Sequence, residues 1–309
     1  MLRHRRQRDH RHRVLIGPLG LLVAVALAAE PAADLQVLPL PWLDGPCQDP
    51  RYPRLAGEWA VGCGPSGRVD RALHLATRRT VALEGGAVSP GVAPGVVYAP
   101  TRDHGLWRLP SGETDPQAPL VPLAGIAPPA TDGDRVALAL ADGLQLFRLD
   151  ERIRHTWDAS PAPWYPPALD GELVAWVTRQ DGSEDIWALV DDQAVPVATT
   201  AAHERHVAVS GDLVGWVSDD GVHTWDARTG ARQAWPTDAH TTRRLSLHDG
   251  VACWEAWNGV DVDVACSDGV RWGGEGHQRS PDRQGGQLLV MDRGRALLLV
   301  LPEAPSTGP

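Results

Sequence analysis

The sequence predicts an all-β fold, a seven-bladed β-propeller of about 38-residue repeats whose ring is closed by an N-terminal strand. Three observations lead there. Short apolar runs recur with anchor positions at Gly62, Tyr98, Leu138, Trp176, Trp216, Trp254 and Val290, spaced 36, 40, 38, 40, 38 and 36 residues apart. A second apolar run follows each anchor, at 72–76, 106–109, 144–149, 186–190, 222–226, 262–266 and 296–301. Gly/Asp turns separate the runs, and no stretch carries the 3.6-residue periodicity that a helical solenoid needs.

Residues 1–29 are excluded from the fold as a targeting segment. Six arginines, at positions 3, 5, 6, 8, 11 and 13, precede an apolar run that ends in the small residues Ala26-Leu27-Ala28. The run of about 16 residues is short for a permanent span. A cleaved secretory signal is expected, with an uncleaved N-terminal anchor as the alternative. Cleavage removes six Arg and one Asp, so the net charge moves from −10 to −15. Such an acidic chain is disinclined to bind nucleic acid or anionic lipid, and a soluble monomer is expected in the periplasm or outside the cell.

The single propeller domain then spans 34–301, ahead of a Pro-rich tail at 302–309. The seventh unit is one strand short, and residues 35–40 are expected to supply its outer strand, because an open ring would leave two unpaired edges. Within the fourth unit, residues 173–177, 186–190 and 194–198 alternate apolar and polar around turns at 180–185 and 191–192, as an antiparallel meander does. In the sixth unit a turn at Gly259-Val260 sets Cys253 opposite Cys266 at a non-hydrogen-bonded position, where the Cα atoms are about 4.5 Å apart and a disulfide fits. Cys47 and Cys63 then tie the N-terminal segment to the first unit. The chain has 13 Trp, one Phe and no Lys; the tryptophans at 176, 216 and 254 read as packing between blades, whereas Trp164 and Trp257 are placed for exposure.

The Gly-Asp/Glu-x-Val-Ala-Trp run, the Asp-Gly turn and the Asp-Ile-Trp strand resemble the blades of TolB-type, WD40-like β-propellers, as do Ser280-Pro281-Asp282 and Ser89-Pro90 at the turns. The resemblance covers 34–301 and is sharp in units four to six. The family is defined by fold, so it implies little about chemistry.

Candidate chemistry lies in the loops that lead from one unit's outer strand to the next unit's inner strand. His203, His240 and His277 are 37 residues apart, and Arg205, Arg243 and Arg279 follow them. The loops between second and third strands add Asp181, Glu184, Asp219, Asp220, Trp257 and Asn258 on the same face. Three readings stay open: solvated loop residues repeated by duplication; an anion site in which Arg forks bind a carboxylate or phosphate while His tunes affinity; and a divalent metal held by His203, His240 and His277, assisted by Gln278 or His206. The third is similar in type to the oligogalacturonate lyases, propellers that hold a metal with axial His and Gln, but no motif transfers residue by residue. A nucleophile elbow, a phosphate loop and a dinucleotide fingerprint are all missing from the sequence. The acidic turn at 181–185 lacks calcium-ligand spacing, and Asn258, Asp261 and Asp263 flank a turn in the same way. The expected role is a non-enzymatic scaffold without a cofactor, binding a protein or small anionic ligand through His203, Arg205, His240, Arg243, His277, Arg279 and Trp257. The alternative is a metal-dependent, lyase-like enzyme acting on acidic saccharides; an uncleaved signal would favour a structural envelope component.

Overall fold

A computed structural model describes residues 35–43, 47, 52–64, 66–83, 91–93, 96–100, 106–110, 128–140, 143–148, 153–157, 161–162, 165–180, 182–237, 242 and 244–302, all within the compact unit Asp34–Pro309. The targeting segment at 1–29 and residues 303–309 lie outside the described residues. The fold is an all-β propeller of antiparallel sheets wound in chain order from the first strand outward, except the last, whose outer strand comes from the N-terminal side of the chain.

Six of the sheets are four-stranded blades. Unit one is Arg54–Ala56, Trp59–Cys63, Val69–His74 and Thr80–Ala82; unit three is Ala130–Thr131, Arg135–Leu140, Gly143–Arg148 and Ile153–Trp157. Unit four is Ala168–Asp170, Leu173–Gln180, Ser183–Val190 and Gln193–Ala198; unit five is Arg205–Ser210, Leu213–Ser218, Gly221–Asp226 and Arg232–Pro236. Unit six is Leu245–His248, Val251–Trp257, Val262–Cys266 and Arg271–Trp272. Unit seven is Gln278–Gln284, Gln287–Asp292 and Arg295–Val300, and its outer strand is Gln36–Pro39, paired with Gln36 against Val300 and Pro39 against Leu297.

The expectation of seven equal blades is corrected here: among the described residues the structure builds six four-stranded blades. The second unit is a three-stranded sheet, Gly91–Ala93, Val96–Pro100 and Leu106–Pro110, among the described residues. Its sequence shows why even spacing overstated the count. Pro90, Pro94, Pro100 and Pro110 punctuate the unit, and proline has no N–H to give to a ladder. Spacing alone registers a repeat whether or not the repeat completes four strands.

The anchors that define the repeat occupy one place in the sheets. Leu138, Trp176, Trp216, Trp254 and Val290 each stand fourth in the second strand, and all five are buried. They lie in the seams between neighbouring sheets: Trp216 shares a buried cluster with Leu173, Ile186 and Val197 of unit four, and Trp254 shares one with Val217 and Val222 of unit five. Gly62 holds the same position in unit one, where a Cβ would lie 3.1 Å from Leu43. The N-terminal 3-10 turn Pro41–Leu43 thus puts a buried leucine against the glycine that stands where other units carry a tryptophan. Gly215 answers a different crowding, since a Cβ there would lie 3.2 Å from Leu245 of the next sheet.

Hydrogen bonds latch the sheets together on the face away from the His/Arg loops. The last residue of a first strand accepts an amide from the turn of the following unit: Asp170 from Gly211 at 2.7 Å, Ser210 from Asp249 at 3.0 Å, and Gln284 from Gly57 at 2.9 Å. Both predicted cysteine pairs are disulfide-bonded. Cys47 and Cys63 have Cα atoms 5.4 Å apart, and Cys253 and Cys266, direct cross-strand partners, 4.0 Å.

Candidate functional site

The loop face carries two clefts built from one sequence device. Arg205 and Arg279 lie at the start of the first strands of units five and seven, paired with Val217 and Met291. In both strands the register shifts just after the arginine. The residue at the shift has left-handed backbone, His206 at φ +55° and Ser280 at φ +53°. Such a bulge adds a residue to one strand and re-aims its side chains. His203 and His277 come two residues before these arginines and enter the loop face from equivalent places. His240 and Arg243, the third copy, lie outside the described residues, as do Asp181 and Trp164. Among the described residues, no group of three or more His, Cys, Asp or Glu could hold a metal ion.

Between units four and five, carboxylates surround the motif. His203 Nδ1 stands 3.7 Å from Glu184 Oε2, and the His203 amide donates to Asp219 Oδ2 at 3.2 Å. The Glu204 amide donates to the Glu184 carbonyl at 2.9 Å. The Glu204 side chain is buried: Oε1 accepts the Thr200 hydroxyl, and Oε2 has no partner among the described residues. Burial, with the Asp185 charge behind it, raises the Glu204 carboxyl above its usual range. Tyr165 donates to Glu184 Oε1 at 3.3 Å and meets the His206 ring edge-on at 5.9 Å. Burial first, and Glu184 second, push its phenol upward.

Between units six and seven, the same motif meets donors instead. His277 Nδ1 accepts the Val262 amide at 3.1 Å, and Asp261 Oδ2 accepts the Gly276 amide at 2.9 Å. These bonds fasten the unit-six hairpin to the loop that enters unit seven. The hairpin is also stapled by Cys253–Cys266 and organised by Asn258. Asn258 Nδ2 donates to Asp263 Oδ2 at 2.9 Å, and Asn258 Oδ1 accepts the amides of Val260 and Asp261 at 2.8 and 2.9 Å. At the tip, Trp257 is 43% exposed and Val260 82%.

Sequence reasoning missed a buried network beneath this cleft. Arg244, 4% exposed, pairs with Asp282 at 2.8 Å and donates to the Pro53 carbonyl at 3.2 Å. Asp282 also accepts the Leu55 amide at 2.6 Å, so units six, seven and one share it. Burial draws the Arg244 guanidinium below its usual range, and Asp282 opposes that. Glu255, 1% exposed, accepts the Ser280 amide at 2.9 Å. A charged residue inside the apolar strand Val251–Trp257 was the available signal, since a buried charge needs partners.

Among solved structures, the chain is similar to other propellers. It matches the β-propeller domain of the Trilobed protease from Pyrococcus furiosus, described as having an open velcro topology, with a TM-score of 0.56 at 11% identity, covering 83% of this chain and 98% of that one. It matches BamB from Moraxella catarrhalis with a TM-score of 0.50 at 14% identity, covering 86% and 98%. The computationally designed Ika8 protein gives 0.52 at 11% identity, covering 81% and 82%. No protein-family profile matches the chain, and no curated protein matches it by sequence. These likenesses establish the fold and leave chemistry to the site.

Proposed function

We propose that the chain is a non-enzymatic propeller scaffold that binds a protein partner on the face where the His/Arg loops emerge, with anionic groups as part of what it recognises. The observation that carries this is the unit-six hairpin, which holds Trp257 and Val260 out to water on a turn pinned by a disulfide and by bonds to Gly276 and His277. A rigid aromatic beside an exposed aliphatic side chain is the composition of an interface centre, because covering it recovers apolar area at little cost in ordering. His277 supports the same reading over a metal-dependent lyase. A ring nitrogen that accepts an amide hydrogen leaves the proton on the other nitrogen, so neutral His277 presents Nε2–H as a donor rather than a lone pair to a metal. Two disulfides fit an oxidising compartment, and among the described residues no helix is long and apolar enough to cross a membrane. The disulfides support delivery to the periplasm or the exterior, for which residues 1–29 would serve as the signal.

The test places a photo-cross-linking residue at Val260, and separately at Asp192 in a turn on the opposite face, and exposes each protein to its native extracytoplasmic fraction. A discrete adduct at position 260, lost with Trp257→Ala and missing at position 192, is the expected result. Equal labelling at the two positions, or none at position 260, would overturn the reading.

A further inference from the structure

Each disulfide holds an exposed tryptophan on the loop face. Cys253–Cys266 staples the unit-six hairpin that carries Trp257, and Cys47–Cys63 fastens the segment that follows Trp42, 53% exposed, to the end of the second strand of unit one. Register brings Trp42 to this face. Pro39 lies opposite Leu297, and the Leu40 amide donates to the Ala296 carbonyl at 2.8 Å, so the 3-10 turn Pro41–Leu43 begins level with Arg295. Asp292 and Arg295 close the turn between the second and third strands of unit seven, the counterpart of the Trp257–Val262 hairpin in unit six. Leu43 is buried against Gly62, which leaves Trp42 outside. On its other side the unit-seven turn meets the unit-six hairpin. The Arg293 stem lies over Gly276, where a Cβ would come within 2.9 Å of its Cγ, and Gly276 gives its amide to Asp261 beside the hairpin tip. Trp257, Arg293, Arg295 and Trp42 therefore follow one another along the rim.

We propose that Trp257, Val260, Arg293, Arg295 and Trp42 form one docking arc across unit seven for an acidic, aromatic-bearing segment of a partner protein. The arc rests on the reading of this face as the binding face, and it names the second anchor and the charge of what docks. Charge complementarity sets the sign. The chain as a whole carries −10, yet along the arc the carboxylates are engaged by their own turns: Asp261 and Asp263 accept from Asn258, and Asp292 from Gln278 and Arg293. Among the described residues of these loops, Glu275 is the exposed carboxylate that remains. The arginines are less engaged. Arg295 is exposed and makes no ion pair among the described residues, and Arg293, whose Nε meets Asp292 at 3.3 Å, still has a side chain 63% exposed. Arg68, in the matching loop of unit one, is exposed with no ion pair among the described residues. The matching loops of units four and five carry Glu184, Asp219 and Asp220 instead, which directs an acidic segment to the rim of unit seven. The two indoles supply rigid apolar area at little cost in ordering, and the guanidiniums supply charge-assisted donors.

Fluorine NMR of the full chain labelled with 5-fluorotryptophan tests this, with the two resonances identified by Trp42→Phe and Trp257→Phe. Four probes are titrated: a random copolymer of glutamate and tyrosine, polyglutamate, a random copolymer of lysine and tyrosine, and phosphatidylglycerol vesicles. The glutamate–tyrosine copolymer must move both Trp42 and Trp257, polyglutamate must bind more weakly, and the lysine copolymer and the vesicles must move neither. Arg295→Glu should weaken the glutamate–tyrosine copolymer by about tenfold, and Trp42→Ala, read at Trp257, by about as much. Movement of Trp257 alone, equal movement with the lysine copolymer, a response to vesicles in place of the copolymer, or no shift at all would each overturn the proposal. A cross-link at position 260 that persists in Trp42→Ala and Arg295→Glu would discard the arc and keep the protein-binding reading, whereas a missing cross-link in the parent removes that reading itself.

Discussion

The cleft between units four and five and the cleft between units six and seven start from the same His-x-Arg segment with the same bulge behind it, yet their surroundings are opposite. In the first, His203 looks at the Glu184 carboxylate and the motif's middle residue is Glu204, buried with one oxygen unpartnered. In the second, His277 takes a backbone amide and the middle residue is Gln278, neutral and bonded to Asp292. The difference extends below the bulge. Unit five has Ala208 where unit seven has Asp282, each pairing with the third residue of the following strand. Duplication thus copied the backbone, and substitution then made one cleft acidic and proton-linked and the other cross-tied and donor-rich.

The buried ion pair gives the largest expected effect. Asp282→Ala leaves the Arg244 guanidinium buried without its carboxylate and removes the acceptor of the Leu55 amide. A loss of about 3–5 kcal/mol in denaturant unfolding is expected, against less than about 1 kcal/mol for Ala208→Ser in the partly buried counterpart. Similar losses at both positions would mean the clefts are not built differently. Next comes the hairpin staple. Replacing Cys253 and Cys266 together with serine should cost about 3 kcal/mol and should loosen Trp257, read as faster quenching of its fluorescence by acrylamide. An unchanged quenching rate would mean that the His277 and Gly276 bonds hold the hairpin without the disulfide.

Much of this was readable in advance, and the limit has a physical basis. Anchor spacing located the sheets because one residue per second strand fills the seam, and Trp176, Trp216 and Trp254 mark it with the largest side chain. The Cys253–Cys266 pairing followed from hairpin arithmetic, since register across a two-residue turn is fixed by counting. The blade count did not follow, because a prolyl-rich unit keeps its length while losing ladder donors. The clefts were legible only as His and Arg at matching places. Which way each imidazole is used depends on what the fold brings to it, Glu184 in one case and the Val262 amide in the other. Asp282 was read as part of a Ser-Pro-Asp turn, although its partner Leu55 is 227 residues away.

Smaller effects separate the clefts by pH. The Glu204 carboxyl is raised in the folded chain, so the unfolded chain gives up its proton first. Its contribution is complete below the unfolded carboxyl range near pH 4.3 and is lost as pH rises through the folded value. Glu204→Gln should flatten that fall and melt higher than the parent at neutral pH, by about 2–4 °C if the change is near 1 kcal/mol. A parent that becomes more stable with rising pH through this window would contradict the assignment. Asp220 runs the other way: its hydrogen bond from His223 at 2.8 Å lowers its carboxyl, so its contribution is present above the unfolded value and lost as pH falls through the folded one. The Asp220 carboxylate is largely exposed, and Asp220→Asn should cost under about 0.5 kcal/mol at pH 7.

The most direct test of the contrast between the clefts is two-dimensional 15N NMR of the His203 and His277 imidazoles at one fixed pH, in the parent and in Glu184→Gln. The account predicts that removing the Glu184 charge shifts the His203 ring resonances and leaves those of His277 in place, with His277 Nδ1 accepting the Val262 amide in both proteins. Equal movement of both rings, or a His203 that ignores Glu184, would contradict it.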